Sequence, residues 1–404
     1  MRLPPTAAIC MALALPLLVL SPGARAQALA NAIEQAWSRN PLAAPLGARE
    51  DEARARLDLA DRFVPGAPSA SVGVLDDRFH RDEGARKWEV ELGVPLWLPG
   101  QKAARQAEAR LLQEQVPAQR ALLRWTVSGD VRNRWWALAA ARAAHDLASR
   151  RAETARALES NVMRRFETGD LARMDANLAR NERLAAEAEV VQAGALVQAQ
   201  EARLRALTGV NAPSVLPGER AVVPLPALEE HPQWQAASAA ARAAEAVLLA
   251  TVKSDRPAPR VALRMERDRG AIAEPFSNAV GVRVSVPFSW EPQQRQQTSA
   301  ARAERLRADA ELATLRLRLQ AAVDSARAEF DAAQRQLEIA SVRQATTTDN
   351  LQLAERAFSL GETDLTSLLR VRATALEADQ FEARQRIALE AARSQLNQAL
   401  GAVP

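Results

Sequence analysis

The side chains that could do chemistry are few in this 404-residue sequence and are scattered along it. There are three histidines, His80, His145 and His231, and one cysteine, Cys10. The spacings of a zinc-protease helix, a serine-hydrolase elbow or a phosphate-binding glycine loop do not occur in the sequence. We therefore predict that the protein is not an enzyme, that it has no metal site or cofactor, and that its histidines are surface residues.

The composition favours helices built from small side chains. Hydrophobic residues make up 48% of the chain, which argues against disorder, but aromatic residues make up only 4%. Lys and Arg number 53 and Asp and Glu 49, and these charges alternate in sign along the chain without forming a basic block. This pattern gives no indication of nucleic-acid binding.

The N-terminal segment 1–26 has the features of a secretory signal peptide. Arg2 precedes an apolar run over 7–20, and the small-x-small sequence Ala24-Arg25-Ala26 is typical of a cleavage site. The alternative, a membrane anchor, would need an apolar run of about 20 residues. Because Cys10 lies in this segment, we expect the mature chain to contain no cysteine. No later run reaches about 18 apolar residues, so a membrane-spanning part would have to consist of strands.

The chain contains an internal duplication. The segment that begins at Leu92 recurs from Val284, and Phe166-x-x-Gly169 recurs as Phe358-x-x-Gly361, both at a spacing of 192 residues. Repeated landmarks at one spacing indicate a tandem repeat. The predicted organisation is a first repeat at 27–209, a Pro-rich linker at 210–228 and a second repeat at 229–404.

Each repeat contains two segments in which apolar and polar residues alternate, as in strands with one apolar face. The predicted strands cover about 69–79, 87–97, 259–268 and 278–290. Trp88, Trp97 and Trp290 stand at the ends of the apolar faces, where a membrane barrel has an aromatic girdle. The alternative is a soluble sheet with one buried face. Four strands cannot enclose a water-filled lumen, so several subunits would have to share such a barrel.

Charged residues occupy the polar faces of these strands: Glu89, Glu91, Arg264 and Arg283. In a barrel they would line the lumen, because residues alternate between lipid and lumen along each strand. Two interpretations of the arginines remain open. They either favour anionic permeants or form ion pairs with Glu89, Glu91 or Glu266.

Long helices follow the strands. The predicted helices, rich in Ala, Leu, Glu, Gln and Arg, cover Ala28–Leu59, Lys102–Glu167, Leu171–Leu207, Pro232–Lys253, Arg302–Leu360 and Leu365–Leu400. Gly169 and Gly361 are expected to end the two long helices in tight turns, so hairpin tips are predicted at about 166–171 and 358–364. Pro117 predicts a kink or a local break. Two of the shorter helices, Leu171–Leu207 and Pro232–Lys253, would together be about as long as one long helix if they were stacked end to end. This match in length predicts a tube of helical hairpins.

In this order of elements the chain resembles the TolC family of outer-membrane efflux proteins. The matching motifs are Asn40-Pro41, Val94-Pro95-Leu96-Trp97 with Leu98-Pro99-Gly100, Arg165-Phe166-Glu167-Thr168-Gly169, Phe358-Ser359-Leu360-Gly361 and Ala399-Leu400-Gly401. The resemblance implies a mainly α fold with a few strands and a duplicated helix–strand–strand–long-helix–hairpin unit. It also implies a homotrimer whose twelve-stranded β-barrel, four strands from each subunit, continues into a periplasmic α-helical coiled-coil barrel.

The resemblance further implies a passive exit duct of a tripartite efflux system in the outer membrane. Such a duct receives substrate from an inner-membrane pump of the resistance-nodulation-division type through a periplasmic adaptor, a membrane fusion protein. The strand-end motifs are similar to those of heavy-metal efflux members, but the sequence does not decide between a metal ion, a drug or another small molecule. The alternatives are a periplasmic adaptor and a soluble coiled-coil scaffold.

The family's gate lies at the helical tips, and the resemblance transfers it to Phe166, Gly169, Asp170, Asp175, Phe358, Gly361, Glu362, Asp364, Ser367 and Arg370. Three positions depart from the family pattern. Phe358 replaces a tyrosine that helps to close the gate, and Ser367 and Arg370 replace acidic ring residues. Asp364 and Glu362 either substitute for those acids or act as ordinary helix caps.

Overall fold

In the computed structural model, residues 22–79, 82–288 and 291–404 are described. Most of the expected signal peptide, His80, Ser289 and Trp290 lie outside these residues. The helices are α1 Pro22–Ser38, α2 Ala43–Asp61, α3 Gln101–Glu167, α4 Arg173–Thr208, α5 Pro232–Lys253, α6 Glu291–Leu360 and α7 Leu365–Ala399. The strands are β1 Ser69–Asp76, β2 Arg86–Pro95, β3 Arg260–Arg269 and β4 Ser277–Ser285.

The predicted fold class, mainly α with four strands per chain, is confirmed. Each repeat contributes one antiparallel hairpin, and β2 pairs with β3 to join the hairpins into a four-stranded sheet in the order β1-β2-β3-β4. Among the residues that the structure describes, no helix is both long enough and apolar enough to cross a membrane.

Several element boundaries differ from the sequence prediction. The segment predicted as one helix over 28–59 is two helices, because Pro41 has no N–H and the Asn40 side chain accepts a hydrogen bond from Leu42 N at 2.9 Å. Helix α6 begins at Glu291, before the predicted Arg302, with a proline at its second position, where no intrahelical N–H is needed. Strand β4 ends at Ser285, short of the predicted end at 290.

Pro117 does not interrupt α3, which is helical from Gln101 to Glu167, so the alternative of a local break is wrong. The proline is exposed on the helix surface. Carbonyl groups that lose their helical partner at a surface proline can be hydrated instead, which lowers the cost of keeping the helix continuous.

The two halves of α3 pack against different partners. Near the sheet, α3 contacts α2 and α5, with ion pairs from Arg120 to Glu50 and from Arg242 to Glu114. Further along, it contacts α4, where Ala152 and Ala155 pack closely on Ala186. Helices α4 and α5 therefore share the length of α3 between them, as the predicted helix lengths indicated.

A buried cluster at mid-height joins the linker to both long hairpins. The Arg132 guanidinium of α3 bonds both carboxylate oxygens of Glu219, at 2.8 and 3.2 Å, and also the Ser128 hydroxyl and the Ala402 carbonyl. Glu219 also accepts from Ser394 Oγ at 3.1 Å and Asn397 Nδ2 at 2.8 Å. The Arg132 and Glu219 side chains are only 4% and 8% exposed, so the cluster replaces water on both charges.

The substitution Arg132→Met should destabilise the protein by about 3–5 kcal/mol per subunit, because it leaves the Glu219 carboxylate buried without its cation. The double variant Arg132→Met/Glu219→Leu should recover much of this loss. Thermal unfolding in detergent measures both, with Arg134→Met, an exposed position on the same helix, as the matched control. Equal losses in the single and the double variant would show that the ion pair is not the source of the effect.

Candidate conduit: the sheet and the helical tips

The sheet has one apolar face, and this face is exposed. Val72, Leu92, Leu263, Met265 and Val282 come from all four strands and have 55–71% of their surface exposed. In the register of the sheet, Val72 lies opposite Val90, which lies opposite Met265, which lies opposite Val280. Rows of exposed aliphatic side chains across a whole sheet are not compatible with a surface that faces water.

The opposite face carries ion pairs. Arg264 Nη2 lies 2.7 Å from Glu89 Oε2 and also pairs with Glu266. Arg283 Nη1 lies 2.8 Å from Glu91 Oε2, and its Nη2 lies 3.4 Å from Glu89 Oε1. The structure therefore favours the ion-pair interpretation of Arg264 and Arg283 over that of free cations.

The tryptophans differ in position. Trp88 lies in β2 on the apolar face and is 50% exposed, as a girdle residue would be. Trp97 lies beyond the end of β2, and its Nε1 donates to the Arg62 carbonyl at 3.2 Å, so it fastens the strand exit to the end of α2. The third predicted girdle residue, Trp290, lies outside the described residues.

The two predicted tips have the same backbone geometry. Gly169 and Gly361 have φ values of 85° and 79°, in the left-handed region that favours glycine. Each glycine N–H donates to the phenylalanine carbonyl three residues earlier, at 3.0 and 3.1 Å, and the following Asp170 and Glu362 N–H groups donate five residues back. This is a helix-ending motif, and it turns both long helices back on themselves.

A buried cluster holds the two tips together. Phe358 is 6% exposed and packs with Val162, Ala179 and Leu365, which come from both hairpins, and Phe166 is partly buried against the same cluster. Arg165 stacks over the Phe358 ring at 5.0 Å and donates to the Phe358 carbonyl at 3.2 Å. Phe358 therefore joins the hairpins within one chain.

Two of the predicted gate acids serve as helix-start groups. Asp175 Oδ2 accepts from Ala172 N at 3.1 Å at the start of α4. Asp364 is the N-cap of α7, and its carboxylate accepts from Ser367 N at 2.6 Å. The pKa of Asp364 lies below its ordinary value. The largest cause is the hydrogen bond from the Ser367 backbone, followed by that from the Ser367 side chain and by the charge of Arg370. Of the remaining predicted residues, Asp170, Glu362 and Arg370 are exposed at the tips.

Sequence reasoning missed two features. Arg165 has no equivalent arginine in the second repeat, because Ala357 stands at that position, so the duplication gave no signal for it. His231 was predicted to be a surface residue, and this is wrong: it is 3% exposed and caps α5 by accepting from Gln233 N at 3.1 Å. Its ring lies edge-on to Trp125 with the centroids 5.2 Å apart, and burial lowers its pKa.

In the described part of the chain, no group of three or more His, Cys, Asp or Glu side chains is placed to hold a metal ion. The functional geometry consists instead of a two-faced sheet and a pair of packed helical tips.

Comparison with known proteins shows what this chain is similar to. Residues 223–402 match the family model described as outer membrane efflux protein. No curated protein sequence matches the chain. The second repeat thus matches this family model, and the recognition of a TolC-like chain is confirmed. The family is one of outer-membrane proteins, as the resemblance implied.

Solved structures show that this fold extends over 92–93% of the chain. The outer membrane protein VceC from Vibrio cholerae is 17% identical with a TM-score of 0.76, covering 92% of this chain and 96% of its own. The CmeC outer membrane channel from Campylobacter jejuni is 13% identical with a TM-score of 0.74, covering 93% and 86%. The open state of the MtrE outer membrane channel from Neisseria gonorrhoeae is 16% identical with a TM-score of 0.74, covering 93% and 89%.

The start of α7 should depend on the Asp364 carboxylate. We expect Asp364→Ala to speed amide hydrogen exchange in the first turn of α7 at neutral pH, whereas Asp364→Asn, which retains a capping oxygen, should do so less. Because the pKa of this carboxylate is lowered from 3.8, its contribution is present above that pH and is lost as the pH falls through the lowered value. The difference between wild type and Asp364→Ala should therefore vanish in strong acid. A change of equal size in Thr366→Ala would contradict the capping role.

Proposed function

We propose that the protein is the outer-membrane exit duct of a tripartite efflux system. Three copies would share one twelve-stranded barrel and one periplasmic helical tube. Substrate would enter from an inner-membrane pump of the resistance-nodulation-division type through a periplasmic adaptor that docks on the helical tips. Transport through the duct is passive, and the exported substrate is set by the pump.

The observation that carries this proposal is a sheet with an exposed apolar face, an ion-paired opposite face and two unpaired edges. Among the residues that the structure describes, strands β1 and β4 each pair with only one neighbouring strand. Backbone groups at an open edge cannot remain unpaired in hydrocarbon, so a sheet that faces lipid has to close on itself. Strands alternate in direction along the sheet, so β1 of one subunit meets β4 of the next in the antiparallel sense.

The helices support the same closure. They follow the strand order, since α2 packs on α3, α3 on α5 and α5 on α6, which leaves α2 and α6 at the two ends of the row. Only five of the 70 residues of α6 are buried in the single chain. Large apolar side chains lie exposed along it: Leu306, Leu317, Ile339, Val342 and Leu353. Neighbouring subunits would cover these side chains in a closed tube.

We place the gate at the helical tips, with two differences from the family pattern. Asp175 and Asp364 are engaged as helix-start groups, so they are poorly placed to form free acidic rings. The Phe358 cluster, which joins the two hairpins, replaces the closing tyrosine as the contact that has to move when the tips part. The exposed charges of Asp170, Glu362 and Arg370 remain available at the mouth and to the adaptor.

Cell fractionation and gel mobility test the proposal. The wild-type protein should appear in the outer-membrane fraction, require detergent for extraction, and migrate as a heat-sensitive trimer when it is not boiled. Release into the periplasm as a monomer or dimer without detergent would overturn the proposal and favour an adaptor or a scaffold.

Adjacent residues of β1 provide a matched pair of variants. Val72 lies on the apolar face, whereas Ser71 lies on the ion-paired face opposite Glu91. An arginine that faces lipid near the middle of a barrel costs about 2–4 kcal/mol. Val72→Arg should therefore strongly reduce the heat-sensitive trimer, and Ser71→Arg should leave it nearly intact. The reverse order of severity would mean that the apolar face does not contact lipid.

A further inference from the structure

The charges on the ion-paired face of the sheet balance. According to the register of β2, β3 and β4, this face carries four basic residues, Lys87, Arg260, Arg264 and Arg283. It also carries four acidic residues, Glu89, Glu91, Glu266 and Asp268. The formal charge of the face is therefore zero in each subunit. Any symmetric assembly of copies has the same balance.

Six of these charges form one continuous chain of ion pairs. Arg283 on β4 pairs with Glu91 and Glu89 on β2, at 2.8 and 3.4 Å. Glu89 also pairs with Arg264 on β3, and Arg264 pairs with Glu266. Lys87 is the last member of this series of ion pairs, with its Nζ 3.1 Å from Glu266 Oε2. Positive and negative groups alternate along its whole course.

Small residues on the neighbouring strands allow the Arg283 side chain to reach from β4 over β3 to β2. Its partner on β3 is Ala262, and the partner of Ala262 on β2 is Gly93. Neighbouring strands lie about 4.8 Å apart, so a guanidinium on β4 reaches β2 only if the residues between are small. Arg283 is also the only charged residue of β4, so its removal leaves no other cation on that strand.

We infer that this chain of ion pairs makes the barrel lumen charge-balanced, with Arg283 as the residue that sets the balance. The inference rests on the proposed function, in which the ion-paired face lines the lumen. A pore selects ions by the fixed charge of its wall, and in a wide lumen that field is strongest when salt is low. A balanced wall lets permeants of either sign pass the barrel, which fits a duct whose pump chooses the substrate.

Ion selectivity of the purified protein in planar lipid bilayers tests the inference. The reversal potential is measured in a potassium chloride gradient at low ionic strength. The wild type should discriminate weakly between potassium and chloride. Arg283→Gln should shift selectivity several-fold toward cations, because Glu91 and Glu89 lose a cation. Glu91→Gln should shift it toward anions, and the double variant should return to the wild-type value.

Arg267→Gln provides the control. It removes the same charge from the same sheet, but Arg267 pairs with Trp88 in the register and lies on the outward face, so selectivity should not change. Unboiled gels establish that each variant assembles like the wild type.

The outcomes separate the inference from the proposed function. Strong wild-type selectivity, or channels whose selectivity is the same in Arg283→Gln and Glu91→Gln, would overturn the inference and place the selective charges elsewhere in the conduit. If the wild-type protein is released without detergent as a monomer or dimer, the proposed function itself fails.

Discussion

The structure depends on one constraint: the sheet has an apolar face toward its surroundings, a charged face on the other side and unpaired backbone at both edges. A single chain cannot place its apolar face, its charged face and its unpaired edges all in favourable surroundings, either in water or in lipid. The proposed closure with further copies would satisfy all three conditions together, because it would pair β1 with β4, turn the apolar face to hydrocarbon and enclose the ion pairs. The order of the helices, with α2 and α6 at the ends of the row, extends the same requirement from the sheet to the tube.

The rest of the chain holds this geometry with few large side chains. Alanine contacts such as those of Ala152 and Ala155 with Ala186 let the helices approach closely over a long distance. Two clusters fix the ends of the hairpins: the Arg132 and Glu219 pair at mid-height, where the linker and the end of α7 meet α3, and the Phe358 cluster at the tips. In the proposed duct, the mid-height cluster would hold the tube together, and the Phe358 cluster would have to come apart for the tips to open.

Much of the fold could be predicted from the sequence, because its signals are local or repeated. The alternation in β2 and β3, the glycine turns at 169 and 361 and the spacing of 192 residues identified the elements and their order. The break near Asn40 was missed because the helix-forming composition continues on both sides of it. The Arg132 cluster was missed because Glu219 and Ala402 lie 87 and 270 residues away from Arg132 and follow no repeat. At the tips, the sequence indicated a helix start after Asp364 but gave Asp175 only as a gate residue, and it could not show that both carboxylates are engaged at helix starts.

Cross-linking between strand edges tests the central claim most directly. Cys10, in the expected signal segment, is the only natural cysteine, so pairs of introduced cysteines can be interpreted without background. Val72→Cys on β1 is combined in turn with Val280→Cys, Val282→Cys or Val284→Cys on β4, and membranes are treated with a short bismaleimide. Val72→Cys/Val90→Cys, which joins neighbours within one chain, is the control. The account predicts covalent dimers and trimers from at least one edge pair and monomers from the control, whereas monomers from every edge pair would contradict it.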